Sequence, residues 1–149
     1  MLSCHDVANY FLVRSRADDD SGSGEELSNL KLQKLVYYAQ GANLALHDVP
    51  LFPEAIEAWT HGPVVPELYQ RFKEFGSGPI RFEEEVELNN YDGAAAGLLD
   101  GIYDCYGQYS GWKLRNMTHD EPPWAATQRG GVIDLDLMKA YFKTIFEAE

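Results

Sequence analysis

NLKLQKLVYYAQ, residues 29–40, is the stretch that decides the fold. Apolar residues recur through it and beyond it in steps of three and four, which is the pattern of an amphipathic helix. Ser28 precedes the stretch and is a suitable N-cap. We therefore predict a helix of about five turns over residues 28–46, with this apolar stripe facing the core: Leu32, Leu35, Val36, Ala39, Ala42 and Leu46.

The same helix carries a second side that is unusual for this chain. The formal net charge is −12, yet no acidic residue occurs from Leu27 to His47. Lys31, Lys34 and Tyr38 fall away from the apolar stripe, and Tyr37 lies near its boundary. We expect this lysine- and tyrosine-bearing side to face outward and to bind another polypeptide.

The remaining segments predict a mainly α fold, a single compact helical domain over residues 1–149 that leaves room for a small β-hairpin. Ser3 and Asp6 resemble a capping box before a first helix near residues 4–14. The stretch ADDDSGSGEE has no apolar periodicity and predicts a mobile acidic loop at residues 17–27. Further helices are expected after Pro66, over residues 94–106, after Ser110, and over residues 135–146 with Asp134 as cap.

Composition limits the function classes. The chain has 149 residues, of which 45% are apolar, and this suits one globular domain. A charge of −12 repels nucleic-acid phosphate and anionic lipid, so a basic protein partner fits better, although acidity can also serve solubility alone. No leader and no apolar run of roughly 18 residues is found. We expect a cytoplasmic protein that has no membrane partner.

No pattern in the sequence points to catalysis, a metal or a cofactor. The histidines lack the HxxxH and HExxH spacings, and Cys4 and Cys105 form no CxxC pair. Neither GxGxxG nor a GKS/T motif occurs, and no nucleophile, base and orienting group can be assembled. The acidic run from Glu83 to Glu87 is typical of a solvated face. We predict a protein that is not an enzyme.

Two loops combine tryptophan, histidine and proline. The first runs from Trp59 to Pro66, and the second from Thr118 to Trp124. Rigid loops of this type lose little entropy on docking and are suited to recognition. Both tryptophans can equally fill the core from the ends of loops. Both interpretations remain open at this point.

Four segments together resemble a known family. They are NLKLQKLVYYAQGANLAL, PLFPEAIEAWTHGPVVPELYQRFKEFGSGPI, YSGWKLRNMTHDEPPW and the closing MKAYF. This chain resembles the Panacea-domain, SocA-like antitoxins, a family that includes phage-associated proteins. The resemblance runs from about Ser3 to Phe146, and the combination of KLQKLVYYAQ with EAWTHGPVVPELY is its most specific part.

The resemblance implies a small, mostly α-helical antitoxin of a type II pair, which neutralises a protein toxin encoded nearby by direct contact. Related antitoxins act on unrelated toxins, so the toxin's identity is not implied. One alternative is a proteolytic adaptor that delivers a toxin to a AAA+ protease, and another is a small enzyme. The acidic loop departs from the family pattern, and no appended DNA-binding segment is evident, which disfavours operator binding.

The resemblance also implies which residues meet the partner. They belong to the long helix, to the two tryptophan loops and to the helix after Pro66. We expect the long helix and the first of these loops to frame one shared groove. The predicted partner-binding residues are Lys31, Lys34, Tyr37, Tyr38, Gln40, Trp59, His61, Gly62, Pro63, Val64, Val65, Tyr69, His119 and Trp124.

Overall fold

The computed structural model describes residues 1–20 and 27–146, and the fold is mainly α, as predicted. Within those ranges there are seven α-helices, and the buried apolar residues form one cluster between them. The helices are α1 (Cys4–Asp20), α2 (Asn29–His47), α3 (Pro66–Phe72), α4 (Gly93–Tyr106), α5 (Gly111–His119), α6 (Pro122–Ala125) and α7 (Leu135–Lys143).

A small antiparallel hairpin interrupts the helices between α2 and α3. Its strands are β1 (Glu57–Trp59) and β2 (Gly62–Val64), and Trp59 pairs with Gly62 across a two-residue turn. A later segment adds to the open side of β1, because Glu57 forms an isolated bridge with Val132. Short 3-10 turns at Lys73–Phe75 and Leu88–Asn90 complete the described elements.

The predicted helix starts are confirmed by their capping hydrogen bonds. The Ser28 hydroxyl accepts from the backbone N–H of Lys31 at 3.2 Å and begins α2. Ser3 and Asp6 exchange reciprocal side-chain to backbone bonds of 2.9 and 3.1 Å, which is a complete capping box. Side chains also cap two later helices, at Ser110 for α5 and at Asp134 for α7.

Two predicted boundaries are wrong. Helix α1 continues to Asp20 rather than ending near residue 14, so the first four residues of the predicted acidic loop are helical. Residues 21–26 of that loop lie outside the described residues. The last helix ends at Lys143 rather than at residue 146. Pro122 and Pro123 occupy the first turn of α6, since proline suits the first helical turn, where no N–H partner is required.

Helix α2 is the central element of the fold. It packs against α1, α3, α4, α5, α7 and β2, and from Asn29 to Ala45 every residue except Leu30 is buried. Gly41 permits a close approach of α7, because a Cβ there would meet the Phe142 ring. An ionised carboxylate in such surroundings is costly to desolvate, and this explains the absence of acid from α2.

Candidate functional site

The expectation that one side of α2 faces outward is wrong. Lys34, Tyr37 and Tyr38 are 0% exposed, and Lys31 and Gln40 are 2% and 1% exposed. Neighbouring elements cover this side as fully as the apolar stripe. These residues therefore belong to the interior, and the surface offered to a partner must be built elsewhere.

Polar side chains of α2 fix the segments around it. The Lys31 amine donates to the carbonyl of Gly107 at 2.7 Å, after α4. The Gln40 side chain accepts from the N–H of Leu51 at 2.6 Å and donates to the carbonyl of Phe52 at 2.9 Å. Such internal bonds satisfy polar groups that would otherwise be costly to bury. The polar side of α2 thus orders its neighbouring loops.

The two tyrosines of α2 meet a buried acid. Tyr37 and Tyr38 donate their hydroxyls to the two carboxylate oxygens of Glu121, at 2.9 and 2.8 Å, and Tyr141 also hydrogen-bonds to Glu121. Burial raises the pKa of Glu121 to about 7, although the hydrogen bonds from Tyr38 and Tyr37 lower it. We call Glu121, Tyr37, Tyr38 and Tyr141 the tyrosine–Glu121 cluster. Tyr106 stacks on Tyr38, with ring centroids 4.0 Å apart.

An open groove of about 790 Å³ lies beside the N-terminal part of α2, and we call it the aromatic groove. Its walls bear Trp59 and Tyr69, whose ring centroids are 5.0 Å apart, and His61 and Trp112, whose centroids are 5.7 Å apart. Residues from α2, the hairpin, α3, the turn after it, α5 and the segment before α7 line it: Asn29, Leu30, Gln33, Lys34, Trp59, Thr60, His61, Val64, Tyr69, Lys73, Gly76, Ser77, Trp112, Arg129 and Gly130.

Lys34 lies in the floor of the aromatic groove. Its amine donates to the carbonyl of Pro63 at 3.0 Å. Burial, and then the nearby charge of Arg115, lowers the pKa of Lys34 to about 7. Gly62 makes this packing possible, because its φ of 108° suits glycine and a Cβ there would lie 2.8 Å from Lys34 Cε.

Some of the hairpin residues predicted for the site line the groove, and the others are buried beneath it. Trp59 is half-buried and His61 is exposed in the groove, whereas Gly62, Pro63, Val64 and Val65 are buried. Of these four, Val64 also lines the groove. The N–H of Val65 donates to the Gln33 side chain at 2.9 Å, and this bond holds the hairpin against α2.

His119 and Trp124 lie behind the groove wall. Their rings stack with centroids 3.8 Å apart, and the Trp124 indole donates to the carbonyl of Trp59 at 2.7 Å. The Arg129 guanidinium lies over the Trp124 ring, 3.5 Å from its centroid. Burial, followed by the charge of Arg115, lowers the pKa of His119. The stacked His119 and Trp124 rings therefore support the backbone of Trp59 at its carbonyl group.

Several groove residues were not among the predicted partner-binding residues. Trp112, Lys73 and Arg129 line the groove but were assigned only to helices or left without a role. Trp112 is 55% exposed, which is unusual for so large an apolar side chain. The sequence held one signal of this exposure, which is the position of Trp112 just after the Ser110 cap. A tryptophan in the first turn of a short helix need not point inward.

One other cluster brings together groups that can ligate a metal. Ligand atoms of Cys4, His5 and Glu67 lie within 4.8 Å of one another. His5 Nε2 and Glu67 are 2.7 Å apart, and the other ring nitrogen, Nδ1, faces the Arg71 guanidinium at 3.3 Å. Burial, followed by the nearby charges of Glu54 and Glu67, raises the pKa of the Cys4 thiol to about 12. The hydrogen bonds of this cluster connect α1 to α3.

Among residues 1–20 and 27–146, no helix combines the length and apolarity required to cross a membrane.

A mainly α domain with an open aromatic groove is a candidate binding protein. Residues 32–125 match the family described as Antitoxin SocA-like, Panacea domain, and the chain belongs to this family. That segment contains every groove-lining residue except Asn29, Leu30, Arg129 and Gly130.

A curated relative supports the same assignment. The chain is 41% identical over 70 residues to the protein named Antitoxin SocA from Caulobacter vibrioides (strain NA1000 / CB15N). The match covers 47% of this chain and 35% of that relative, so it spans about a third of the relative's length. No solved structure matches the chain.

Proposed function

We propose that this protein is the antitoxin of a type II toxin–antitoxin pair and that it neutralises a toxin encoded nearby by binding it directly. Family membership over residues 32–125 carries the proposal. In this role the chain acts in the cytoplasm, as one domain over residues 1–149, without catalysing a reaction. The toxin contacts the aromatic groove, which replaces the buried side of α2 as the binding surface.

The shape and composition of the groove support this placement. Trp112 and Tyr69 are 55% and 37% exposed, and aromatic side chains of this kind often dominate the energy of protein interfaces. Lys34 donates a hydrogen bond to the carbonyl of Pro63, and Gln33 accepts one from the N–H of Val65, so the wall is held in position before a partner arrives. A wall that is already ordered loses less entropy on binding.

The experiment is co-expression of this chain with the product of each neighbouring gene. One neighbour should arrest growth alone and should be harmless together with this chain, and the two proteins should co-purify. If no neighbouring gene product is toxic and rescued, the proposal fails. The half-life of the rescued toxin separates two mechanisms, because blocking leaves it unchanged or longer, whereas delivery to a protease shortens it.

A matched pair of variants tests the location. Trp112→Ala should weaken toxin binding by about tenfold or more, as expected for an aromatic anchor. Leu88→Ala is the control, since Leu88 is also an exposed apolar residue, at 41%, and lies outside the groove. Rescue by both variants at equal toxin affinity would show that the toxin binds elsewhere.

A further inference from the structure

The charges around the aromatic groove differ from those of the whole chain. The chain has 24 acidic and 12 basic residues. Among the described residues that line the groove, the ionisable lysines and arginine are Lys34, Lys73 and Arg129, and no aspartate or glutamate lines it. Arg115 adds a further guanidinium beside the wall, 4.5 Å from the Trp112 ring centroid. The groove is therefore a basic site on an acidic protein.

These basic groups lack acidic partners within the described part of the chain. The only described acceptor of the Lys34 amine is the carbonyl of Pro63. Arg115 bonds to His61 and Asn116, and Arg129 bonds to the carbonyl of Trp124, all of which are neutral acceptors. A lysine amine has three N–H donors and a guanidinium has five. An incoming anion can thus be bound without first displacing a carboxylate from residues 1–20 or 27–146.

The form of the groove favours a peptide over a compact ligand. Thr60, His61, Tyr69, Lys73 and Trp112 are all exposed, so the cavity is open along its length. A small molecule in such a cavity would keep much of its surface in water, whereas binding pockets usually enclose most of their ligand. A chain segment can cover several walls at once and place alternate side chains on aromatic and basic groups.

We propose that the aromatic groove binds an acidic peptide segment that also carries a leucine or aromatic anchor. The anchor packs between Trp59, Tyr69 and Trp112, and the carboxylates face Lys73, Arg129 and Arg115. This inference rests on the proposed function, because it assigns the segment to the toxin.

The test uses two short synthetic peptides, Glu-Glu-Leu-Phe-Glu-Glu and its counterpart with every Glu replaced by Gln, both with blocked ends. The indole N–H signals of the three tryptophans in ¹⁵N-labelled full-length protein report where each peptide binds. The acidic peptide should shift Trp59 and Trp112 more than Trp124, and it should bind at least about fivefold more tightly than the Gln peptide. Equal affinity of the two peptides would overturn the proposal.

Charge reversal identifies the basic groups. The double variant K73E and R129E should weaken binding of the acidic peptide by about tenfold and leave the Gln peptide unaffected. The variant R81E is the control for net charge, because Arg81 is exposed and lies outside the groove lining. The single variant K73E is compared with R81E. If the two weaken acidic-peptide binding equally, the preference for the acidic peptide comes from overall charge and the proposal is overturned.

The two proposals can fail separately. If co-expression rescues growth while the acidic peptide shows no preference for the groove, the chain is an antitoxin whose partner is recognised by other chemistry. If the acidic peptide binds the groove but no neighbouring toxin is neutralised, the groove is an acidic-peptide site and the antitoxin proposal fails.

Discussion

Two polar regions lie on neighbouring sides of α2, and the same residue types serve opposite purposes in them. In the tyrosine–Glu121 cluster, aromatic and charged groups are buried and satisfy one another. In the aromatic groove, His61, Tyr69, Lys73, Trp112 and Arg129 are open to solvent. The difference is whether a described acidic partner is present. The cluster has its acid in Glu121, whereas the groove has basic groups with only neutral partners.

The largest expected effect is a loss of stability in the cluster. Tyr38→Ala should reduce the free energy of unfolding by about 3–5 kcal/mol, because it empties a fully buried aromatic site and removes a hydrogen bond to Glu121. Tyr69→Ala, in the groove wall, should cost at most about 1 kcal/mol. Urea unfolding measures both. Equal losses would mean that the two regions are not energetically distinct.

The second prediction concerns pH. The folded-state pKa of Glu121 is raised to about 7 from an ordinary 4.5, so the folded protein holds a proton that the unfolded chain releases. Its contribution to stability is complete below pH 4.5 and is lost as the pH rises through 7. At about 1.4 kcal/mol per pKa unit, the loss is on the order of 3 kcal/mol.

Glu121→Gln isolates that contribution from other titrating groups. The free energy of unfolding of the unsubstituted protein minus that of the variant should decrease between pH 4.5 and pH 7, and chemical denaturation at a series of pH values measures it. A difference that stays constant, or that increases with pH, would contradict the assigned direction of the pKa.

The smallest of the three stability effects is expected where α2 meets α7. Gly41→Ala places a methyl group 2.2 Å from atoms of the buried Phe142 ring, so the ring or the helix must move. Overpacking of this type costs about 1–3 kcal/mol. Gly97→Ala is the matched control, because a Cβ at that helical glycine meets nothing within 4 Å. Thermal melts that rank the two variants equally would show that α7 adjusts freely.

Local signals in the sequence predicted much of the helical framework. Ser28, Ser110 and Asp134 each act as the expected cap, because an N-cap depends on only a few neighbouring residues. The course of α1 to Asp20 was missed, since acidic residues in its last turn suggested a loop. Arg14 helps to hold the C-terminal half of α1, because it forms ion pairs with Asp100 and Asp104 of α4. Sequence spacing does not reveal these pairs.

The site was harder to predict for a different physical reason. A polar helix face is normally assigned to solvent, but the polar groups of α2 find partners at Gly107, Phe52, Pro63 and Glu121, all distant in sequence. Trp59, His61 and Tyr69 were placed in the site and do line the groove. Trp112, Lys73 and Arg129 join them only through the tertiary fold. The binding role assigned to all these residues remains a prediction.

The close fit of Gly62 against Lys34 separates what can vary in the groove from what cannot. The buried amine of Lys34 donates to the hairpin backbone, and Gly62 has no space for a side chain. The hairpin should therefore follow the same course whatever occupies the groove. Lys73 and Trp112 extend from other segments into solvent and can be exchanged without rebuilding that base. Under the proposed function, these rim residues would determine which partner is bound, while the hairpin beneath them stays the same.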